Sequence, residues 1–380
     1  MKRNIKNRDI IILSSIDWNF MWQRHHEVAT HFSKKNNVVY VETTAKRNPH
    51  FGDMKRIFNR LMKKKNEDSR NPLDENIEIV SPVALPPTNG LFISLNNLYF
   101  TNKIVSEIQE KCVYKEKKPI IITYLPTETT ISITKKLNPE VLVYDVAYNF
   151  IHAENTMKSI RDSEKALLQL ADVIIADGLY HKREKSNIVN KEVQLITNGV
   201  DIDVFYDELS KPRKKYSKLL YYGSISNKLD FDLIKMILDK NYELRMIGDW
   251  QLKNPFSDKY SNLYLMDAMP RTELINYIKE ADAIIFPYKI NEFNKGVFPV
   301  KTFECLAAGK PLITTPFEDL LEIKSIYTAS DKPEFMDILS KLQTLDSEDA
   351  ILCRKQTALK NSWESKMMDM EDIVGGKLIY

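Results

Sequence analysis

The sequence predicts an α/β protein built of two doubly wound domains in tandem. Short apolar, β-branched runs alternate with amphipathic helical patterns from end to end, as parallel sheets with crossover helices require. This alternation restarts after a charged stretch, 207–218, that holds Lys211-Pro212-Arg213-Lys214-Lys215 and has the composition of an interdomain linker. At 380 residues the chain also exceeds what one hydrophobic core usually organises.

The first set of strands is expected at 10–13, 38–41, 77–80, 119–124, 141–145, 173–176 and 193–196, each a compact run rich in Ile and Val. Amphipathic helices are expected between them, for example at 22–33 and 155–170. The second set falls at 219–222, 243–247, 262–265, 283–286 and 312–314, with helices such as 230–239 and 271–280 between strands. These patterns divide the chain into a Rossmann-like domain over 1–206, a linker over 207–217, a second Rossmann-like domain over 218–360 and a terminal helix over 361–380. In sheets of this kind ligands bind outside the carboxyl ends of the strands, so a site in a cleft between the two domains is expected.

Composition excludes several classes. Net charge is only +3, from 55 basic and 52 acidic residues, which does not indicate a nucleic-acid partner. Cys112, Cys305 and Cys353 are widely spaced, without CxxC or Cys/His ligand spacing, and suit a reducing compartment. The basic start is followed by an apolar run, 10–13, too short for a signal peptide, and no run approaches the roughly 20 apolar residues of a spanning helix. A cytoplasmic protein, soluble or peripheral at the inner face of the membrane, is the expectation.

The stretch Phe298-Pro299-Val300-Lys301-Thr302-Phe303-Glu304-Cys305-Leu306-Ala307-Ala308-Gly309-Lys310-Pro311 carries the most chemistry. Pro299 suits a first helical position, and Gly309 followed by Pro311 suits a helix stop. The helix start would favour an anion, Lys301 would add a full charge, and Glu304 would share that face. A lysine for a diphosphate and a carboxylate for two ribose hydroxyls describe a nucleotide diphosphate ligand. Spacing alone fits an exposed Lys/Glu pair equally well.

Several landmarks, in order, resemble the GT-B glycosyltransferases, specifically a family-4-like branch with TuaH-like and GumK-like members that serve teichuronic acid and exopolysaccharide biosynthesis. They are Asp17-Trp18-Asn19-Phe20-Met21-Trp22-Gln23-Arg24 after the first strand, Ala171-Asp172-Val173-Ile174-Ile175-Ala176-Asp177, and Asn198-Gly199-Val200-Asp201. Tyr222-Gly223-Ser224 with Lys228 and Asp230, Asp282-Ala283-Ile284-Ile285-Phe286-Pro287-Tyr288, and Trp363-Glu364 complete the set. The resemblance implies two Rossmann-like domains facing across a cleft, with the last helix crossing back to the first. It implies transfer of a sugar from a nucleotide diphosphate donor, a UDP-sugar, to an acceptor held by the N-terminal domain, with no cofactor required. By family position Lys301, Gly223, Ser224 and Lys228 would meet the diphosphate, Glu304 the ribose and Met269 the base, while Asn294, Gly296 and Val297 would line the donor sugar.

Two positions depart from the family pattern. Gly296 stands where retaining relatives carry a second Glu, and Tyr148 and Asn149 stand where the GumK-like branch carries an acidic pair. Candidates for a catalytic base are therefore Asp145, His152 and Asp17, with Glu154 beside them, each of which also suits a structural role. On the acceptor side, Lys46, Arg47, Lys55, Arg56, Arg60, Lys63, Lys64 and Lys65 face one acid, Asp53, between positions 46 and 65. With apolar residues at helical spacing there, an anionic membrane surface and a lipid-linked saccharide acceptor are expected partners, a solvated helix being the alternative. Asp201-Ile202-Asp203 and the histidines 25, 26 and 31 are set aside as metal ligands, and no metal is expected. An epimerase or hydrolase of the same fold, or a noncatalytic nucleotide-sugar-binding partner, is the alternative function.

Overall fold

The computed structural model describes residues 4–20, 22–43, 73–82, 99–150, 159–252, 255–256, 259–291, 294 and 297–378. They form two compact units, Met1–Thr197 with Met367–Tyr380, and Asn198–Lys366. In the first, β1 (Asp9–Leu13), β2 (Asn37–Val41), β3 (Ile77–Val80), β4 (Ile120–Thr123), β5 (Val141–Val146), β6 (Val173–Ala176) and β7 (Val193–Leu195) make one parallel sheet in the order β3-β2-β1-β4-β5-β6-β7. Among the described residues its helices include α1 (Arg24–Ser33), α2 (Thr101–Lys111), α3 (Glu128–Leu137), α4 (Ile160–Leu170) and α5 (Leu179–Ser186). All five residues of β1 and all six of β5 are buried, so these strands show no inside-outside alternation. That is the pattern of a parallel sheet covered on both faces.

The second unit contains α6 (Ile202–Phe205), β8 (Lys218–Tyr222), α7 (Phe231–Asp239), β9 (Glu243–Ile247), β10 (Leu263–Met266), α8 (Arg271–Glu280) and β11 (Ala283–Phe286). It continues through α9 (Thr302–Ala307), β12 (Leu312–Thr314), α10 (Glu318–Leu321), β13 (Tyr327–Thr328), α11 (Lys332–Leu345) and α12 (Glu348–Lys360). The strands pair in parallel in the order β10-β9-β8-β11-β12-β13. Alternate side chains separate into two cores. Leu220, Tyr222, Ile284 and Phe286 pack on one face with α8 and α9, whereas Leu219, Tyr221, Ala283 and Ile285 pack on the other with α7 and α11. Strand order reverses at β8/β11, which places the ligand crevice of such a sheet at the carboxyl ends of these two strands.

Most predicted strands match within one residue at either end, and the short β13 escaped the sequence reading because two residues carry no periodicity. Three differences are physical. The stretch 198–206, assigned by pattern to the first domain, packs in the second unit, where Val200 and Phe205 join the core beside Leu220. Pro299 is not the first helical residue. Its carbonyl accepts both the amide of Thr302 at 2.9 Å and the Thr302 hydroxyl at 2.7 Å, so a turn precedes the helix and Lys301 becomes the N-cap. The first helix starts at Arg24 rather than 22, its N-cap Gln23 and His26 exchanging hydrogen bonds as a capping box.

At the other end of α9, Gly309 adopts φ +68°, its N–H reaches Leu306 O at 3.0 Å and Lys310 N reaches Cys305 O at 3.0 Å, which is a Schellman stop. The last helix, α13 (Trp363–Gly375), starts in the second unit, where the backbone at Trp363 leaves no room for a Cβ on Gly199. Its residues from Met367 onward belong to the first unit, where Glu371 Oε1 accepts the Ile5 amide at 2.7 Å.

Candidate functional site

The second unit gathers its polar residues where β8 ends. Gly223 follows the strand with φ +129°, its N–H bonded to Ile247 O at 2.8 Å. A side chain there is excluded twice over. The backbone conformation is one L-residues rarely adopt, and a Cβ would lie 2.2 Å from Lys301 Nζ. Gly248, at the end of β9, is equally constrained, since its Cβ would meet Gly223 O at 1.9 Å. Two strands thus end in glycine so that their backbones can close together beneath the Lys301 ammonium. That ammonium lies 5.7 Å from the centroid of the Tyr222 ring, and among the described residues no carboxylate stands within 4.0 Å of it.

Glu304 sits on α9 one turn after Lys301 and is 7% exposed. Tyr222 donates its hydroxyl to Glu304 Oε2 at 3.1 Å, and Arg271 Nη2, from the first turn of α8, stands 3.8 Å from Oε1. Burial pushes the Glu304 carboxyl above its usual 4.5, opposed first by Arg271, then by Lys301 and the Tyr222 hydroxyl, while Asp201 adds to the rise. Burial also holds Tyr222 well above 10, so it remains a hydrogen-bond donor across the physiological range. The result is a positive group poised over bare backbone and, one turn away, a carboxylate with both oxygens oriented.

Two of the other loops with expected donor residues, those of Lys228 and Asn294, are tied together by one side chain. Asn294 is buried and donates through Nδ2 to Lys289 O at 2.7 Å and to Lys228 O at 3.3 Å. Its backbone N–H donates to Asn291 Oδ1 at 2.8 Å, and its carbonyl accepts from Val297 N at 3.0 Å. Ser224 contributes its carbonyl to the Tyr221 hydroxyl at 2.8 Å, and Met269 packs against the core. Gly296 lies outside the described residues. Asp201, set aside as a metal ligand, caps α6 by accepting Val204 N at 3.4 Å.

In the first unit, Asp145 is fully buried and accepts from Arg24 Nε at 2.7 Å, while Arg24 Nη1 reaches Thr197 O at 3.2 Å. Burial raises the Asp145 carboxyl despite this partner. Asp17 is half-buried, in the loop where Trp18 packs edge-on against Tyr40 and His26 with centroids 5.0 Å apart in each pair. His25, His26 and His31 point to Ser15, Trp18 O and Glu371 respectively, three separate partners. His152, Glu154 and the basic stretch 46–65 lie outside the described residues. Sequence reasoning named Tyr222 without a role and missed Arg271 and Gly248. The available signals were a second strand ending in glycine and a basic residue directly after Met269-Pro270.

With this geometry in hand, solved structures give the fold its class. HepE from Anabaena, in complex with UDP and glucose, superposes with a TM-score of 0.68 at 12% identity, covering 97% of this chain and 100% of that one. Sucrose-phosphate synthase from Thermosynechococcus elongatus gives 0.67 at 13% identity over 97% and 98% of the two chains. The fold is GT-B. These identities carry the fold alone. In sequence, 190 residues are 27% identical to TuaH of Bacillus subtilis (strain 168), whose name assigns it to teichuronic acid biosynthesis as a glycosyltransferase. That match spans 46% of this chain and 48% of TuaH, about half of each. No protein-family model matches the chain.

Proposed function

We propose that this chain is a glycosyltransferase that moves a sugar from a UDP-sugar to a lipid-linked or polysaccharide acceptor in cell-surface glycan assembly. One observation carries the reading: the Lys301 ammonium over the Gly223 backbone, with buried Glu304 held by Tyr222 and Arg271 one turn away. A diphosphate laid on Gly223 and Ser224 meets Lys301 where negative charge develops as the bond from sugar carbon to phosphate oxygen breaks. Glu304 accepts the two ribose hydroxyls. The acceptor oxygen forms the new bond to the same carbon, and UDP leaves. Lys301 neutralises the leaving group without a metal ion.

The name of TuaH supports glycosyl transfer, and the UDP complex of HepE supports the donor class. In this reading the first unit holds the acceptor. Asp17, half-buried in its loop, and Asp145, which holds Arg24, are the described candidates to take the acceptor proton. The basic stretch 46–65 supports peripheral attachment to an anionic inner membrane face, each basic residue near the surface adding about 1 kcal/mol.

UDP release from UDP-sugars, assayed with and without a membrane lipid extract, tests the proposal. Acceptor-dependent release supports transfer. Turnover indifferent to lipid, with an epimerised or free sugar as product, makes it an epimerase or hydrolase, and UDP binding without turnover makes it a noncatalytic binder. Loss of liposome co-sedimentation at low salt on neutralising Lys63, Lys64 and Lys65 is expected, and equal sedimentation of variant and parent overturns the membrane assignment.

A further inference from the structure

The Glu304 carboxylate raises a problem that the proposed function leaves open. To accept from two hydroxyls it must be ionised, yet it is almost fully buried, and burial favours its protonated form. Resting on the donor-site reading above, we propose that Arg271 is the positioning residue of this site, its charge beside Oε1 favouring the ionised form of Glu304 while Tyr222 fixes Oε2.

The geometry divides the work between elements. Tyr222 comes from β8 and donates at 3.1 Å to one oxygen. Arg271 comes from α8, with Nη2 3.8 Å from the other oxygen, near enough for strong attraction but outside hydrogen-bonding distance. Oε1 therefore keeps its acceptor capacity for a ligand hydroxyl. Arg271 is itself braced, its guanidinium carbon lying 5.9 Å from the Phe205 ring centroid. The other charges facing Glu304 are Lys301 at the start of α9 and Asp201 before α6, which oppose one another. From α12, which also packs on α9, Arg354 is committed to Gly309 O and Asp346. Lys301 cannot serve both purposes, because a bound diphosphate draws on its charge. Arg271 gives the carboxylate a second cation when the donor site is full.

The test is calorimetric UDP affinity of the parent, Arg271→Gln and Arg271→Lys from pH 5.5 to 8.5, with 2′,3′-dideoxy-UDP as a second probe. Removing an opposite charge at this range moves a carboxyl by roughly 1–3 units, so Arg271→Gln should lose about tenfold in UDP affinity at the acid end and recover toward parent affinity at the alkaline end. Arg271→Lys should restore most of the loss. The pH-dependent difference between Arg271→Gln and parent should vanish with the dideoxy probe, which has no hydroxyls for Glu304 to receive. An equal loss at every pH overturns the proposal, because it marks a packing or phosphate-contact role, and so does no loss at any pH. Thermal melting of each variant keeps a folding defect from passing as either result. If Glu304→Gln binds UDP and the dideoxy probe with parent affinity, the ribose reading itself fails. If that variant loses UDP affinity while Arg271→Gln shows no pH dependence, only the Arg271 proposal fails.

Discussion

Gly223 and Glu304 show how much of the site depends on single residues. Gly223→Ala would place a methyl 2.2 Å from Lys301 Nζ in a backbone conformation that disfavours it. It should cost about 1–3 kcal/mol of stability in urea melts and displace the ammonium, weakening UDP binding by about tenfold or more. Lys301→Ala should produce the binding loss without the stability loss. For Glu304, two pH effects of opposite sign are expected. In the proposed reading UDP affinity draws on the carboxylate, so relative to Glu304→Gln it should fall on acidification as pH drops through a value raised above the usual 4.5. Stability of the free protein runs the other way. A carboxyl whose folded pKa is raised binds its proton more tightly when folded, so its ionisation destabilises the fold as pH climbs through the same window. Against Glu304→Gln, which carries no charge, the parent should therefore lose relative stability between acid and neutral pH in denaturant titrations. Lys301 and Glu304 were legible in the sequence because a helix stop and charge spacing are local. Arg271 was not, since 33 positions separate it from Glu304 and only the packing of both α8 and α9 against α6 brings them together.

At the scale of elements, buried ions fasten helices to strands. Arg24 on α1 and Asp145 on β5 are both buried, and removing one partner leaves an isolated charge. Asp145→Ala should destabilise the first unit by about 3–5 kcal/mol, whereas replacing both partners with apolar residues of similar volume should recover most of that loss, as urea unfolding of the two variants would show. Lys310 does similar work at the end of α8, donating to Lys279 O at 2.6 Å and Ala281 O at 2.8 Å. Burial lowers its ammonium from 10.5 to about 8. The unfolded chain then holds the proton more tightly, so this group should add stability as pH rises from about 8 toward 10.5. Lys310→Met should abolish that rise and cost about 2 kcal/mol at neutral pH in thermal or urea melts. Strands were readable because both faces are covered and the apolar runs are continuous. The start of α9 was misread because a proline at a turn and a proline at a first helical position look alike until the bonds of Thr302 are seen.

For the whole molecule, the restart of the α/β pattern was visible in composition, but the division between the units was not. Residues 198–206 follow the first set of strands in sequence, yet their apolar side chains complete the core of the second. The placement of the last helix depends on similarly distant contacts, among them Glu371, which receives the Ile5 amide at 2.7 Å and faces His31 at 3.2 Å. Glu371→Ala should speed hydrogen exchange of the Ile5 amide and of 367–378 by about tenfold, with little change in the second unit. A different consequence follows from Asn294, whose one amide group grips the carbonyls of both Lys289 and Lys228. The two loops it joins are separate in sequence but mechanically one part. If these loops hold the donor sugar, as proposed, an exchange of donor preference by swapping segments between relatives would have to move 226–230 and 289–297 as a pair. A swap of either alone strands half of the clasp, and the protein so made would report a damaged joint rather than a new specificity.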